Sequence, residues 1–460
     1  MTLIKSISGI RGTIGGAPGE GLSPVDLVKF SSAYAQFISA KSKKSRPLIV
    51  VGRDARISGE MVASLVISTL TAMGCDVVNI GLASTPTTEI AVPEELADGG
   101  IILTASHNPR QWNALKLLNE KGEFLNAAEG ELILKYAETG KFNYAGVDDL
   151  GKVVLKDYSQ IHLQQVLDLE LVNVEQIKAA GFKIAVDAVN SVGGIVVPQL
   201  LKALGVAEVL EINCSPTGDF AHTPEPIAPN LVEVAEKVRS ETVDLCFVVD
   251  PDVDRLVILN EDGSMFNEEY TLVAVADYVL SKTPGNTVSN LSSTRALRDV
   301  SEKYGQKYEA AAVGEVNVVE KMKATNAIIG GEGNGGVIYP ASHYGRDSLV
   351  GIALFLSLLA EKKLKCSELR ATYPDYFMSK NKIELTPEID VDSILEKMKH
   401  KYASEKVNDI DGVKIDFATS WVHLRKSNTE PIIRIYSEAK SGKEADALAQ
   451  KIIEDIKAMI

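Results

Sequence analysis

The sequence predicts an α/β protein of four domains, three related α/β units with mixed sheets and a C-terminal α+β unit. Short apolar runs alternate with amphipathic stretches, the pattern of βαβ units whose sheets are covered by helices. A strand, polar turn, helix, glycine, strand order recurs at about a hundred residues, far beyond solenoid periods, so whole domains are repeated. The last stretch, after about Tyr373, leaves that pattern.

The first copy opens with "RPLIVVGRDAR", a buried strand ending in a polar turn. "ISGEMVASLVISTLTAMG" follows with helical periodicity and stops at Gly74, and "CDVVNIG" is the next strand. "FKIAVDAVNSVGG", "IVVPQLLKALG" and "VAEVLEIN" repeat that order, and a looser third copy begins at "GNTVSNLSSTRALRDVSEKYG". In the final part "DYFMSKNKIELTP", "VKIDFATSWVHLRKSN" and "EPIIRIYSEA" read as strands and "KEADALAQKIIEDIKAMI" as an amphipathic helix. Boundaries are expected near Tyr158, Leu256 and Tyr373, giving domains 1–157, 158–255, 256–372 and 373–460.

At 460 residues the chain is too long for one core. Its 45% hydrophobic and 24% charged residues are ordinary for a globular protein. A net charge of −14 argues against nucleic-acid and anionic-membrane partners, so any anionic ligand needs locally concentrated positive charge. The four cysteines, Cys75, Cys214, Cys246 and Cys366, lie too far apart for a zinc pattern or a disulfide framework, which fits a reducing compartment. The N-terminal stretch has no apolar signal core, and no run of ~18 apolar residues suggests a membrane span. The expectation is a cytoplasmic protein, monomer or homodimer, acting on small molecules.

Four stretches carry chemistry. In "VDLCFVVDPDVDRLVILN" an apolar strand delivers Asp250, with Asp252 and Asp254 at alternate positions and Arg255 after them. Three carboxylates so close repel one another unless a cation neutralises them. An EF-hand loop would place Glu261 correctly, but Arg255 stands where that loop needs glycine and strands flank it instead of helices. A hard cation of the Mg2+ type, with positions left for phosphate oxygen, fits better. In "LTASHNP", Ser106 could be a helix N-cap, a nucleophile or a phosphate carrier. Thr104 and Asn108 stand where a nucleophile elbow needs glycines, and His107 beside Ser106 is poor triad geometry.

Near the C-terminus "HLRKSNTEPIIRIYSEA" clusters Arg425, Lys426, Ser427, Asn428 and Thr429, with Arg434 on the next strand. Guanidinium, hydroxyls and an amide make either a phosphate clamp or a charged exposed hairpin. "IIGGEGNGGVIYP" surrounds Glu332 and Asn334 with glycines but lacks the nucleotide phosphate-loop pattern. It is a sugar-hydroxyl reader or a plain flexible turn.

These stretches, with "SGIRG" (Gly9 to Gly12), "VGRDAR", "TASHNP", "DPDVDR", "GEGNGG" and "RKSNTEP" in that order, resemble the α-D-phosphohexomutase family across essentially the whole chain. Phosphoglucomutase, phosphomannomutase and phosphoglucosamine mutase are members. The resemblance implies four domains around a central cleft, Mg2+, and exchange of a hexose 6-phosphate and 1-phosphate through a hexose 1,6-bisphosphate. It casts Ser106 as the phosphoserine, and Asp250, Asp252 and Asp254 as ligands that hold Mg2+ against it. Lys116 becomes the first candidate for general base, and Arg11, Arg255 and His107 complete the catalytic group. Arg425, Ser427, Asn428 and Thr429, with Arg434 nearby, would grip the distal phosphate, while Glu332 and Asn334 would read the sugar.

Two departures qualify the match. Many members end the sugar loop in Gly-Glu-x-Ser-Gly-His, whereas Asn334 and Gly336 stand here; His343, His107 and Arg346 are the candidates to compensate. In "AAVGEVN" the acidic Glu315 follows Gly314, which would favour an amino sugar by charge complementarity. Glucosamine phosphate is therefore the leading substrate. A glucose or mannose phosphate mutase of relaxed specificity, or a metal-dependent sugar phosphatase, is the alternative.

Overall fold

The computed structural model describes residues 1–6, 9–385, 389–426 and 432–459. The first sheet holds β1 (Leu3–Ser6), β2 (Gly9–Thr13), β3 (Leu48–Arg53), β4 (Asp76–Leu82), β5 (Gly99–Leu103), β6 (Trp112–Leu118) and β7 (Val153–Leu155). The second holds β8 (Lys183–Asp187), β9 (Glu208–Ile212), β10 (Leu245–Val249) and β11 (Leu256–Asn260). The third holds β12 (Asn286–Asn290), β13 (Tyr308–Ala311), β14 (Ala327–Glu332) and β15 (Gly336–Ile338). The fourth holds β16 (Phe377–Glu384), β17 (Lys406–Asn408), β18 (Val413–Asp416), β19 (Trp421–Lys426) and β20 (Ile432–Ala439).

One strand order is used three times. β6-β5-β3-β4, β11-β10-β8-β9 and β15-β14-β12-β13 each run fourth, third, first, second in chain order. In each, the first three strands are parallel and the fourth returns antiparallel to the third. The repeats read from sequence are thus copies of one topology. The first sheet extends it with the β1–β2 hairpin beyond β6 and with β7 beyond β4. The interior strands β5 and β10, "GGIIL" and "LCFVV", are buried along their whole length, as strands covered on both faces must be.

The boundary expected at Leu256 needs correction. β10 and β11 pair antiparallel from Leu245↔Asn260 to Val249↔Leu256, so β11 belongs to the second sheet. The second and third units also share a core. Phe355, on the buried helix Ser348–Lys362, packs edge-on against Phe247 of β10 and Phe266, at 6.1 and 5.3 Å between ring centroids. Tyr158 and Tyr373, in contrast, fall between elements.

The C-terminal unit is the expected α+β module. Its strands lie in the order β16-β20-β19-β18-β17, all antiparallel, with helices Val391–Lys401 and Gly442–Lys457. No helix among the described residues is long and apolar enough to cross a membrane. The topology fixes where chemistry can gather: the crossing from third to fourth strand is 104–111 in the first unit, 250–255 in the second and 333–335 in the third.

Candidate active site

Ser106 sits on the first of these crossings, 4% exposed, with φ of 49° in the left-handed region that β-carbon sterics disfavour. The loop is held from below. Ser106 N donates to Thr104 Oγ1 at 2.9 Å, Thr104 Oγ1 donates to Asp54 Oδ2 at 2.6 Å, and Arg56 Nη2 donates to the Ser106 carbonyl at 2.9 Å. Ser106 Oγ itself donates to Asp250 Oδ2 at 2.6 Å.

Asp250, Asp252 and Asp254 bring carboxylate oxygens within 4.8 Å of one another, all fully buried. Burial, and then the charges of Asp252 and Asp254, push the Asp250 carboxyl well above its usual range. Each of the other two has one oxygen tethered and one presented. Asp252 Oδ2 accepts from Lys116 Nζ and from Thr85 Oγ1, both at 2.6 Å, and Asp254 Oδ2 accepts from Arg346 Nη2 at 2.6 Å and Lys116 at 3.3 Å. Oδ1 of Asp252 and Oδ1 of Asp254 are buried with no hydrogen-bond partner among the described residues, although Arg255 Nε lies 3.9 Å from Asp254 Oδ1. Such orphaned oxygens are costly unless a cation takes them. An all-oxygen donor set with two idle carboxylate oxygens fits a hard divalent ion.

Lys116 is buried on β6, and against its burial Asp252 and Asp254 raise its proton affinity, to about 12. As found it is a charged tether for the two aspartates. The general base expected from sequence would first have to shed the proton that makes those contacts.

Arg11 on β2 donates from Nη1 to Asn108 Oδ1 at 2.8 Å, and Arg255 Nε has no hydrogen-bond partner among the described residues. Burial and the neighbouring Arg255 lower the proton affinity of Arg11. Two guanidinium groups near enough for one to depress the proton affinity of the other suit an anion. His107 Nδ1 lies 3.5 Å from Ser106 Oγ, and burial with Arg255 and Arg11 drives its proton affinity down to about 2. Its ring is neutral.

The third crossing supplies Glu332 and Asn334. Glu332 Oε1 accepts from Asn290 Nδ2 at 2.8 Å and from Gly314 N at 3.2 Å, and Oε2 accepts from Arg346 Nη1 at 2.7 Å. Asn334 Oδ1 accepts from Gly336 N at 3.2 Å and so shapes the turn.

The Glu315 expectation is corrected. Both its oxygens are taken by Arg346, Oε2 by Nε at 3.0 Å and Oε1 by the main-chain N–H at 3.1 Å. A carboxylate already neutralised by a guanidinium offers little to a substrate ammonium. Of the candidates to compensate at Gly336, His343 turns towards Asp347 and Glu89, at 3.2 and 3.5 Å. Arg346 is the one that lies against Gly336.

Arg425, next to last on β19, has Nε 2.8 Å from Asp411 Oδ2, and the same oxygen accepts from Val313 N at 2.9 Å. Arg434 faces Arg425 across the β19–β20 pairing and is exposed. Ser427, Asn428 and Thr429 lie outside the described residues. A polar chain thus runs from Ser106 through Asp250, Asp254, Arg346, Glu332 and the Val313–Gly314 backbone to Asp411 and Arg425. Sequence reasoning missed Thr85, and quoted Asp54 and Arg56 without assigning them work. Asp54 follows the first strand of its unit, where Asp187 and Asn290 end theirs, and that equivalence was the available signal.

Four family models match in order, each described as phosphoglucomutase/phosphomannomutase: α/β/α domain I over residues 3–144, domain II over 160–263, domain III over 267–376 and the C-terminal domain over 383–455. The chain belongs to the α-D-phosphohexomutase family. As a phosphohexomutase it is an isomerase, an intramolecular phosphotransferase. It is similar to a phosphoglucomutase/phosphomannomutase of Thermococcus kodakarensis, 35% identical over 94% of this chain and 95% of the relative. It is also similar to a phosphoglucosamine/phosphogalactosamine mutase of Sulfurisphaera tokodaii, 32% identical over 98% of both. Among solved structures, a phosphoglucomutase/phosphomannomutase family protein of Burkholderia thailandensis superposes with a TM-score of 0.84 at 25% identity, covering 99% of this chain and 98% of that one.

Proposed function

We propose that this phosphohexomutase interconverts the 6-phosphate and 1-phosphate of a hexose or hexosamine through a 1,6-bisphosphate, with Ser106 as phosphoryl carrier. The observation that carries the reading is Ser106 Oγ at 2.6 Å from Asp250, at the edge of a buried aspartate group with two idle oxygens. Asp250, Asp252 and Asp254 would hold Mg2+, which when bound neutralises charge on the transferring phosphoryl group. Arg11 and Arg255, which feel each other's charge, are assigned the equatorial oxygens in transfer. The bond from the serine oxygen to phosphorus breaks as a sugar oxygen bonds to it, and the serine oxygen regains the proton that the sugar hydroxyl loses. Arg425, with the neighbouring Ser427, Asn428 and Thr429, is assigned the phosphate that does not react, so one serine serves either end of a turned sugar.

For the sugar, glucosamine phosphate remains the leading reading, supported by the Sulfurisphaera relative. Relaxed specificity towards glucose and mannose phosphates is the second, favoured by the Arg346 contacts that neutralise Glu315 and by the Thermococcus relative. Four unpaired cysteines, three of them buried, support a cytoplasmic setting. A coupled assay of glucosamine, glucose and mannose 6-phosphates decides between the sugars. Intact mass should show about 80 Da, one phosphoryl group, on Ser106 of active enzyme. Normal turnover by Ser106→Ala, or net phosphate release in place of isomerisation, would overturn the mutase reading.

A further inference from the structure

Arg346 stands where three separate segments meet. It donates from Nη2 to Asp254 on the second crossing, from Nη1 to Glu332 at the end of β14, beside the third, and from Nε to Glu315 at the start of helix Glu315–Thr325. Only 8% of it is exposed. Despite burial, Asp254, Glu315 and Glu332 raise its proton affinity well above the ordinary arginine value. A planar guanidinium suits this task because it spreads donors over three nitrogens in one rigid plane, where an ammonium offers all its donors from a single atom. Its stem also needs room. A β-carbon on Gly336 would fall 2.3 Å from Arg346 Cδ, closer than real β-carbons come, and 3.0 Å from Cγ, a tight contact.

We propose that Arg346 is a positioning residue that couples the sugar loop to the metal loop, and that position 336 is glycine to admit it. The inference rests on the proposed roles of those loops. Arg346 latches Oδ2 of Asp254, which leaves Oδ1 presented, and with its other arm it fixes Oε2 of Glu332. A sugar that draws on Glu332 therefore shifts the restraint on Asp254. By linkage, a cation that orders Asp254 favours the sugar by the same factor.

The test is calorimetric titration of Mg2+ into dephosphorylated enzyme, alone and with glucose 6-phosphate present, which reads binding without turnover. In the unaltered enzyme each ligand should tighten the other by about fivefold or more. Arg346→Met should remove that coupling and weaken Mg2+ by about tenfold, and Arg346→Lys should restore part of both. Gly336→Ala should weaken Mg2+ comparably, yet change it less than about twofold when added to Arg346→Ala, whose side chain lacks the Cγ and Cδ that a β-carbon at 336 would meet. Effects of the two substitutions that simply multiply, or coupling that survives Arg346→Met, would overturn the proposal. If neither truncation at 346 folds, Arg346→Lys, which keeps the charge without the fork, and Gly336→Ala are each expected to weaken Mg2+ and reduce the coupling, and unchanged values in both would overturn the proposal. Absent coupling with normal mutase turnover refutes this inference alone, and coupling without turnover refutes the proposed function alone.

Discussion

Asp54 and Arg56 form an ion pair of 2.8 Å in which neither side chain is exposed, directly beneath Ser106. Asp54 reaches the start of the serine loop through Thr104, and Arg56 reaches the carbonyls of Ser106 and of Trp112 at its end. Arg56→Met should cost about 3–5 kcal/mol in urea denaturation, because it strands a buried carboxylate. Adding Asp54→Asn should recover much of that stability and none of the turnover, since the loop has lost its frame. Turnover that returns with stability would show the pair to be packing only.

Lys116 is expected to act through the aspartates it tethers. Lys116→Met should lower activity or metal affinity by about 10–100-fold, as loss of an outer-shell partner does. Raising Mg2+ should restore part of the turnover. A variant with an unchanged Mg2+ titration would show that Lys116 does not orient Asp252.

Arg425→Ala should raise KM and also lower kcat, because orientation by the non-reacting phosphate is used at the reacting centre. Arg425→Lys should rescue partly, lacking the bidentate fork. Steady-state kinetics on both variants checks this, and a sugar phosphate bound with neither phosphate near Arg425 would refute it.

His423 should make the docking of the C-terminal unit acid-sensitive. The ring is buried, accepts from Ser292 Oγ at 2.9 Å and donates from Nε2 to the Asp411 carbonyl at 2.7 Å. Burial first, and Lys414 and Arg425 with it, push its proton affinity down to about 4, against the raising effect of that carbonyl and the Asp411 charge. Below the ordinary value of 6.5 the unfolded chain takes a proton that the folded one refuses. Stability present above pH 6.5 is thus lost as pH falls towards 4, on the order of 3 kcal/mol. Chemical denaturation from pH 7 to 4.5 should show this slope, and His423→Gln should flatten it.

Phe355→Ala removes the ring that joins the second and third units and should cost about 3–5 kcal/mol. Denaturation midpoints measure it.

The sequence showed what local pattern can show. Strand runs such as "LCFVV" and the carboxylates of "DPDVDR" announce themselves because residues that act together are adjacent or alternate. Leu256 was misjudged because a return strand after a polar turn reads the same as the first strand of a new unit. Arg346 was legible only as one of three candidates: its carboxylate partners lie 14, 31 and 92 residues away, and only tertiary packing chooses among such pairings. Glu315 looked free for the same reason, since a sequence shows a charge and not the charge opposite.

The threefold use of one strand order gives the chain a fixed address for innovation. At the passage from third to fourth strand, the backbone can lengthen or shorten without disturbing the sheet beneath, from 104–111 to 250–255 to 333–335. In the proposed function one copy of that address would house the phosphoryl carrier, one the cation site and one the sugar reader. The division separates what must stay constant in such an enzyme from what can drift. On the proposed roles, changes confined to residues 333–335 would be expected to act on the sugar before they act on phosphoryl exchange. Arg346 marks the limit of that freedom, because its guanidinium joins Glu332 beside the third address to Asp254 on the second.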